Sequence, residues 1–591
     1  MRKIRTWFLI GIAIALALDA DQASVGNRGA APGGNGVANP SFEIHDGLGP
    51  NGTGSFAEIP GWQGEGGDLQ LVSTRWARVR GVEGDTVLRV SPGESAVSQF
   101  LATDPGRWYS VDLALTHRGG ETATGSVALF WDDRRLGTLS GPAGRWSRFQ
   151  FDAQADGRDS LLTLESSSSP GSPPILVDDL HLFPLPVTGP NLLANASFET
   201  EVDGPSPDGA EYDAIPGWHV TEGEARVRPA STLFPAVTGK SYLKLAGGSG
   251  ARVAQTVATS DGTWYELSLW RASSGLSSQR DASDEIRWND ATLAELPAAG
   301  YLWQRNRFDL LGTDRLTDLE IGTQKRRRRD HSRIDDVRLY PTCRTGPSLI
   351  HNGSFEDFSR SRRHLPQPAI DYWPRLAGRA SIWSARFRAP AAEGRHALRL
   401  GSGQGGSVYQ EVVTTPGVRY ELSLAARGFA RSGSVRIWWN DRIVAHLSEI
   451  GPDWTPLFLH VEADAAVGRL ELEAEPGSGE GVLLDDIALY PVAGDLEFGT
   501  APPVTASTRK RFEYQPAVRG YLAENVRFAF LEAPEGMAID KRTGRIEWTP
   551  AATGTVSVHL HASIPGCGAS ADQRFSLNVV DGNSAPVFTS D

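Results

Sequence analysis

The sequence predicts an all-β chain made of tandem two-sheet units, and three observations carry that prediction. A block opening on Asn-x-Ser-Phe-Glu returns three times at near-even spacing, in "GVANPSFEIH", "NLLANASFET" and "LIHNGSFEDF". The segments after each copy are short, alternate apolar and polar residues with period two, and are divided by Gly, Asn and Asp turns. No stretch sustains helical periodicity.

The elements follow one another in the same order in every copy. After Ser-Phe-Glu comes Ile59-Pro60-Gly61-Trp62, then Ile215-Pro216-Gly217-Trp218, then the weaker Asp371-Tyr372-Trp373-Pro374. "EGDTVLRV", "TGKSYLKL" and "EGRHALRL" are each a Gly turn leading into an alternating strand. A strand with a central Gln follows in "SAVSQFLAT", "ARVAQTVAT" and "SVYQEVVTT", and then a strand entered through Gly in "GRWYSVDLAL", "GTWYELSLWR" and "GVRYELSLAA". "ALFWDDRRLGTL", "EIRWNDATLAEL" and "VRIWWNDRIVAHL" have the pattern of hairpins turning at Asp-Asp or Asn-Asp. Each copy closes on "ILVDDLHLFP", "SRIDDVRLYP" or "VLLDDIALYP". About eight strands in roughly 150 residues suit a two-sheet jelly roll. The units are placed at 34–187, 188–343 and 346–493, with a linker at 24–33.

Composition bounds the rest. A chain of 591 residues is too long for one core. A formal charge of −13 excludes a general nucleic-acid binder, because no basic excess is available to track a phosphate backbone. Arg2, Lys3 and Arg5 precede an apolar run from Trp7 to about Leu18, the order of a secretory signal over residues 1–23. An uncleaved anchor is the alternative, and it is the one membrane contact expected. Export to a surface or medium follows. Cys343 and Cys567 fall in different predicted domains, so neither is expected to staple a domain internally.

The shared order of these motifs resembles the galactose-binding-domain-like superfamily, and most closely the carbohydrate-binding modules joined to bacterial glycanases. The resemblance covers residues 34 to 493 three times over. It implies a jelly roll per copy, and one structural Ca²⁺ held by a Glu near the start and an Asp of the last strand. Here those positions are Glu43 with Asp178, Glu199 with Asp335, and Glu356 with Asp485. The residues allow the same reading, since Glu is expected on the first strand and the Asp pair on the last, which lie side by side in a jelly roll. Two adjacent carboxylates repel unless a cation lies between them, and oxygen ligands suit calcium. Carbonyls after Gly84, Gly239 and Gly394 would complete the shell. Two alternatives stay open: acids that cap backbone amides, and a glycosidase acid–base pair. The second is disfavoured by its threefold recurrence.

A ligand surface is sought on aromatic residues. Trp62 and Trp218, and equally Trp146, Trp303 and Trp454, are expected in the core. In the hairpin strand, alternation puts Leu129 with Trp131, Ile286 with Trp288, and Ile437 with Trp439 on the core face. Phe130, Arg287 and Trp438 then occupy matching outward positions and are the candidate ligand-binding residues, with Tyr409 and Trp270 as weaker ones. Plain solvent exposure or a domain interface is the alternative. "KRRRRDHSR" at Lys325–Arg333 reads as a solvated loop.

From about Thr500 the repeat stops. Pro534-x-Gly536-Met537 through Gly544 to Trp548-Thr-Pro550 resembles immunoglobulin and cadherin-like modules of bacterial surface proteins, over residues 500–581, and residues 582–591 resemble the start of another. No nucleophile elbow, zinc-type His spacing, phosphate loop or redox Cys pair is present in the sequence. The expectation is a non-catalytic binder of carbohydrate polymer or glycoconjugate. Self-association in a structural array, or an accessory role in a larger glycanase, stands as the alternative.

Overall fold

The computed structural model describes residues 36–582 except 46, 50, 56–58, 67–68, 119–124, 200–214, 232–233, 248–249, 274–282, 313–315, 325–330, 359–369, 386–389, 402–404, 430–432, 477–480, 495, 520–525 and 565–568. The signal segment at 1–23, the linker at 24–33, most of the basic run and nearly all of 582–591 lie outside these residues. Among the described residues no helix is long and apolar enough to cross a membrane.

Each repeat is a pair of antiparallel sheets facing each other across an apolar core. In the third, one sheet orders Arg375–Gly378, Gly406–Val413, Val467–Ala474, Gly433–Trp439 and Arg442–Ile450; the other orders Ala380–Ser384, His396–Leu400, Val482–Pro491, Arg419–Gly428 and Thr455–Glu462. The second repeat has the same five-plus-five order, and the first adds Thr53–Ser55 at one edge. The Asn-Asp hairpins form as their chemistry requires: Asn289 and Asp290 have φ of 48° and 61°, and Asn440 and Asp441 46° and 63°. Two successive positive φ values make the type I′ turn whose twist matches the strands. Leu129, Ile286 and Ile437 are buried, with Trp131, Trp288 and Trp439 beside them.

The Asn-x-Ser-Phe-Glu block is not a strand. It is a tight loop in which both Asn and Phe adopt left-handed backbone: φ is 47° and 60° at Asn39 and Phe42, 48° and 59° at Asn195 and Phe198, and 53° and 55° at Asn352 and Phe355. Asn tolerates this conformation; a bulky Phe does so only when its surroundings hold it. The hold is visible. Phe355 is fully buried and tilts against Trp373 at 5.5 Å between centroids, and the Trp373 indole donates to the Asn352 carbonyl at 3.1 Å. Gln410, the central Gln of its strand, accepts from the His351 amide at 2.8 Å and donates to the His351 carbonyl at 2.9 Å. Gln99 and Gln255 do the same for Ala38 and Ala194. The scattered motifs of the repeat are one contact.

Trp146, Trp303 and Trp454 correct the expectation of a core role. They are only half-buried, and their indoles donate to loop carbonyls of Arg80, Pro235 and Pro390 at 2.6, 2.8 and 2.9 Å. Arg333 likewise departs from a solvated loop: it is 1% exposed, on the last strand of its unit, with its guanidinium 4.5 Å from the Phe234 ring centroid.

The tail has a four-stranded sheet ordering Thr505–Ser507, Ser570–Val580, Gly554–Ser563 and Arg527–Glu532, and a three-stranded one of Phe512–Tyr514, Ile546–Trp548 and Ala538–Ile539. Gly544 makes the turn at φ 75°. Cys343 is disulfide-bonded and packs in the tail's core beside Val492 and Leu496, so the end of the second repeat is embedded in the tail; the sequence holds one other cysteine, Cys567.

The units are docked in series through the same element. The Arg148 carbonyl accepts from the Gly239 amide at 2.7 Å, and the Arg305 carbonyl accepts from the Gly394 amide at 2.8 Å. Arg338 and the Tyr340 hydroxyl reach Asp152 at 3.1 and 2.8 Å, and Arg305 and Arg307 reach Asp486 at 3.2 and 2.8 Å. A cavity of about 310 Å³ at the centre is lined from all three repeats. The sheets holding the last strands therefore turn inward, and the sheets holding the hairpins turn outward.

Candidate functional site

Two kinds of site recur in every repeat: an acid-gripped loop at the unit junctions, and the outer sheet face.

At the first, each Glu and Asp pair closes on one loop. Glu43 Oε1 accepts from the Asp85 and Thr86 amides at 3.0 and 2.6 Å, while Asp178 Oδ2 accepts from Val82 and Glu83 at 2.9 and 3.3 Å. Glu199 holds the Lys240 and Ser241 amides and Asp335 those of Val237 and Thr238. Glu356 holds Arg395 and His396, and Asp485 holds Glu393. The glycine between is forced. Gly84, Gly239 and Gly394 have φ of 66°, 67° and 62°, and a Cβ on each would lie 2.3 Å from the Glu carboxyl group. Burial pushes the Asp178 carboxyl up to about 7, although the amides pull the other way. Burial also raises Asp335 and Asp485.

Glu43 and its equivalents sit on the loop described above rather than on a first strand. Each Glu and its Asp hold neighbouring amides of the same loop. The following Asp of each pair has a different task that the sequence reading missed. Asp179, Asp336 and Asp486 sit with φ of 56°, 50° and 54° where the last strand bulges. They turn to cations: Asp179 to Arg148 and His181, Asp336 to Arg338, and Asp486 to the preceding unit's Arg305 and Arg307. The loop gripped by the acids is the one that docks on the preceding unit in the second and third repeats.

The outer faces differ among repeats. In the third, Tyr409, Glu471 and Trp438 lie side by side across three neighbouring strands, since Glu471 pairs with both. The Trp438 indole donates to Glu473 at 2.9 Å, Arg436 pairs with Glu475, and the Arg469 guanidinium stacks 4.3 Å from the Tyr409 ring centroid. All stay partly open to solvent. The matching row of the first repeat is Ser98, Thr163 and Phe130; Phe100, two residues beyond Ser98 on the same strand, is 63% exposed. In the second, the row is Ala254, Glu320 and Arg287. There Arg287 is bound to Glu320 at 3.2 Å, and Arg252 joins Glu320 and Glu285 at 3.2 and 2.6 Å. That face carries an ion network in place of rings. Trp270 lies on the other sheet and lines the central cavity.

No family model matches the chain, and no curated protein matches it. Solved structures do. The tandem CBM22-1–CBM22-2 domain of Xyn10C from Paenibacillus barcinonensis is 15% identical, over 53% of this chain and 99% of that one, with a TM-score of 0.22. A family 16 carbohydrate-binding module is 21% identical over 24% of this chain and 98% of its own, with a TM-score of 0.19. TmCBM61, solved with β-1,4-galactotriose, is 14% identical over 25% and 99%, with a TM-score of 0.18. At these identities the likeness is one of fold.

Proposed function

We propose that the chain is an exported, non-catalytic carbohydrate-binding protein whose main binding surface is the outer face of the third repeat. The observation that carries this is the row Tyr409–Glu471–Trp438, flanked by Arg436, Glu473 and Arg469. Rings give flat platforms for the apolar faces of sugars, and ionised side chains beside them bond the hydroxyl groups. The first repeat's Phe130 and Phe100 make a weaker, nearly uncharged version. Arg287 in the second repeat spends its charge on Glu320, so that face contributes least. Two binding faces on one chain give avidity toward a polymer. The tail acts as a spacer.

Trp438→Ala, and Tyr409→Ala separately, are expected to lower affinity for the bound polysaccharide at least ten-fold while leaving the melting of the third repeat within about 1 kcal/mol, as for a surface change. Affinity electrophoresis against a panel of plant and bacterial polysaccharides reads this. Retention of full binding by both variants would place the site elsewhere.

The same reading includes calcium in the acid-gripped loops. The donors there are oxygens, from a Glu, an Asp and the loop carbonyls, which is the chemistry calcium takes. Among the described residues no group of three or more His, Cys, Asp or Glu side chains is placed to hold a metal. Backbone carbonyls would therefore supply most of each shell. A bound cation would neutralise the two carboxylates and tighten the loop on which the next unit docks. His396 Nδ1 already engages Glu356 Oε2 at 2.9 Å, so the third loop would bind most weakly. Titration of chelator-treated protein is expected to show saturable Ca²⁺ uptake and a gain of about 3 kcal/mol at a hundred-fold excess over Kd. Identical melting in Ca²⁺ and in chelator would leave the carboxylates as amide caps alone.

A further inference from the structure

Outside these sites, a cleft of about 830 Å³ opens where the first repeat, the third repeat and the tail meet. Its walls are cationic in a chain whose formal charge is −13. Arg107 and Arg158 come from the first repeat, His460 from the third, and Arg527, Lys541 and Arg542 from the tail. The acids present do not balance them. Asp104 is engaged by Arg107 at 3.2 Å, Glu421 by Arg344 at 3.2 Å, and Asp156 alone is left over. Among the described residues Arg158, Arg527, Lys541 and Arg542 have no carboxylate partner. The crowding is felt: burial and then Arg419 and Arg107 push the His460 imidazolium down, and burial and then Arg542 push Arg527 down. Like charges brought together by three separate domains raise the energy of the assembly unless an anion sits among them. Between the cations lie apolar surfaces: Phe530, Phe458 and Leu531, the last 54% exposed.

We propose that this cleft binds an acidic saccharide segment, its carboxylate or sulfate groups held by the arginines and its ring faces laid on the phenylalanines. Its volume falls in the range of about 300–1,000 Å³ common to ligand sites. Guanidinium forks meet carboxylate and sulfate oxygens two at a time, which favours charged over neutral sugars. The choice of a saccharide rests on the reading of the outer face; the choice of an anion does not.

The test is calorimetric titration of the full chain with oligogalacturonate, a sulfated oligosaccharide, a neutral galactan oligomer and polyglutamate. Binding of at least one acidic sugar is expected, weakening as salt rises, and its identity separates carboxylate from sulfate. Arg527→Ala combined with Arg542→Ala is expected to lower that affinity at least ten-fold and to leave neutral-sugar binding unchanged. Trp438→Ala is expected to do the converse. Arg158→Ala, an exposed change on a different domain, should reduce acidic-sugar affinity several-fold, which distinguishes loss of the site from loss of the tail's fold. Absence of acidic-sugar binding, or its survival in both arginine variants, overturns the proposal. Equal affinity for polyglutamate overturns the saccharide and leaves bare charge. Acidic-sugar binding without any neutral-sugar binding supports the cleft while counting against the outer face.

Discussion

Arg344→Ala is expected to cost about 3–5 kcal/mol at the junction of the second and third repeats, the loss typical of a broken buried ion cluster. Its guanidinium is shared by carboxylates of both units. It reaches Glu266 at 2.8 Å and Asp309 at 3.3 Å in the second repeat, and Glu421 at 3.2 Å in the third. It also lies 3.6 Å from the Tyr490 ring centroid, and the residue is 1% exposed. Truncation takes from three largely buried acids the cation that binds them all. Arg344→Lys is expected to recover only part of the loss, since one ammonium cannot present a planar fork in three directions. Hydrogen exchange resolved to peptides from Trp264–Ser273 and Arg419–Gly428 reads the effect where it arises. Protection lost in one strand and kept in the other would mean that the arginine serves one unit only.

The same cluster sets an acid limit. Burial favours the neutral form of Glu266, but Arg344, Arg307 and Arg305 outweigh it and hold the carboxyl at about 2. A folded pKa below the unfolded value of about 4.3 contributes stability that is complete above that value and lost as pH falls toward 2, about 3 kcal/mol in all. Glu421 works oppositely: burial outweighs Arg344 and raises it, so acid relieves a cost there. Through Glu266 the junction of the native chain should weaken as pH falls from about 4.5 toward 2, and Arg344→Ala should flatten that slope.

Why part of this could be read from sequence and part could not is a matter of range. Period-two alternation is enforced residue by residue along a strand, so the hairpins, their Asn-Asp turns and the inward Trp131, Trp288 and Trp439 are legible locally. The threefold motif was legible as a contact between distant segments, but its shape was not. Alternation assigns Glu356 to a strand because it carries no signature for positive φ at a phenylalanine; the reason lies in Trp373 and Gln410, which hold the loop from elsewhere. Trp146, Trp303 and Trp454 have the composition of core residues, and only the carbonyls of Arg80, Pro235 and Pro390 explain why they stay at the surface. Inter-unit chemistry was the least legible. Asp486 looks like the second half of an Asp pair until Arg305 and Arg307 arrive from another repeat, and Arg344 and the cleft arginines have no local pattern at all.

Phe355 offers the sharpest test of the motif, because two variants at one position should violate an ordinary ranking. Phe355→Ala is expected to destabilise the third repeat by about 3–5 kcal/mol, the range for deleting a buried aromatic ring. The ring is wholly buried and packs on Trp373, whose indole in turn holds the Asn352 carbonyl, so its loss loosens the loop as well as the core. In an ordinary core position Gly would be worse than Ala by roughly 0.5–1 kcal/mol. Here φ is 55°, a region that costs an L-residue roughly 1–2 kcal/mol and glycine almost nothing. Phe355→Gly should therefore be no worse than Phe355→Ala, and the same parity should hold at Phe42 and Phe198, whose φ values are 60° and 59°. Local unfolding free energies from hydrogen exchange over Gly406–Val413 and Val467–Ala474 decide it. A glycine variant less stable than alanine by a full kcal/mol would mean that the phenylalanine is not held in left-handed backbone, and that the loop closes each unit by some other route.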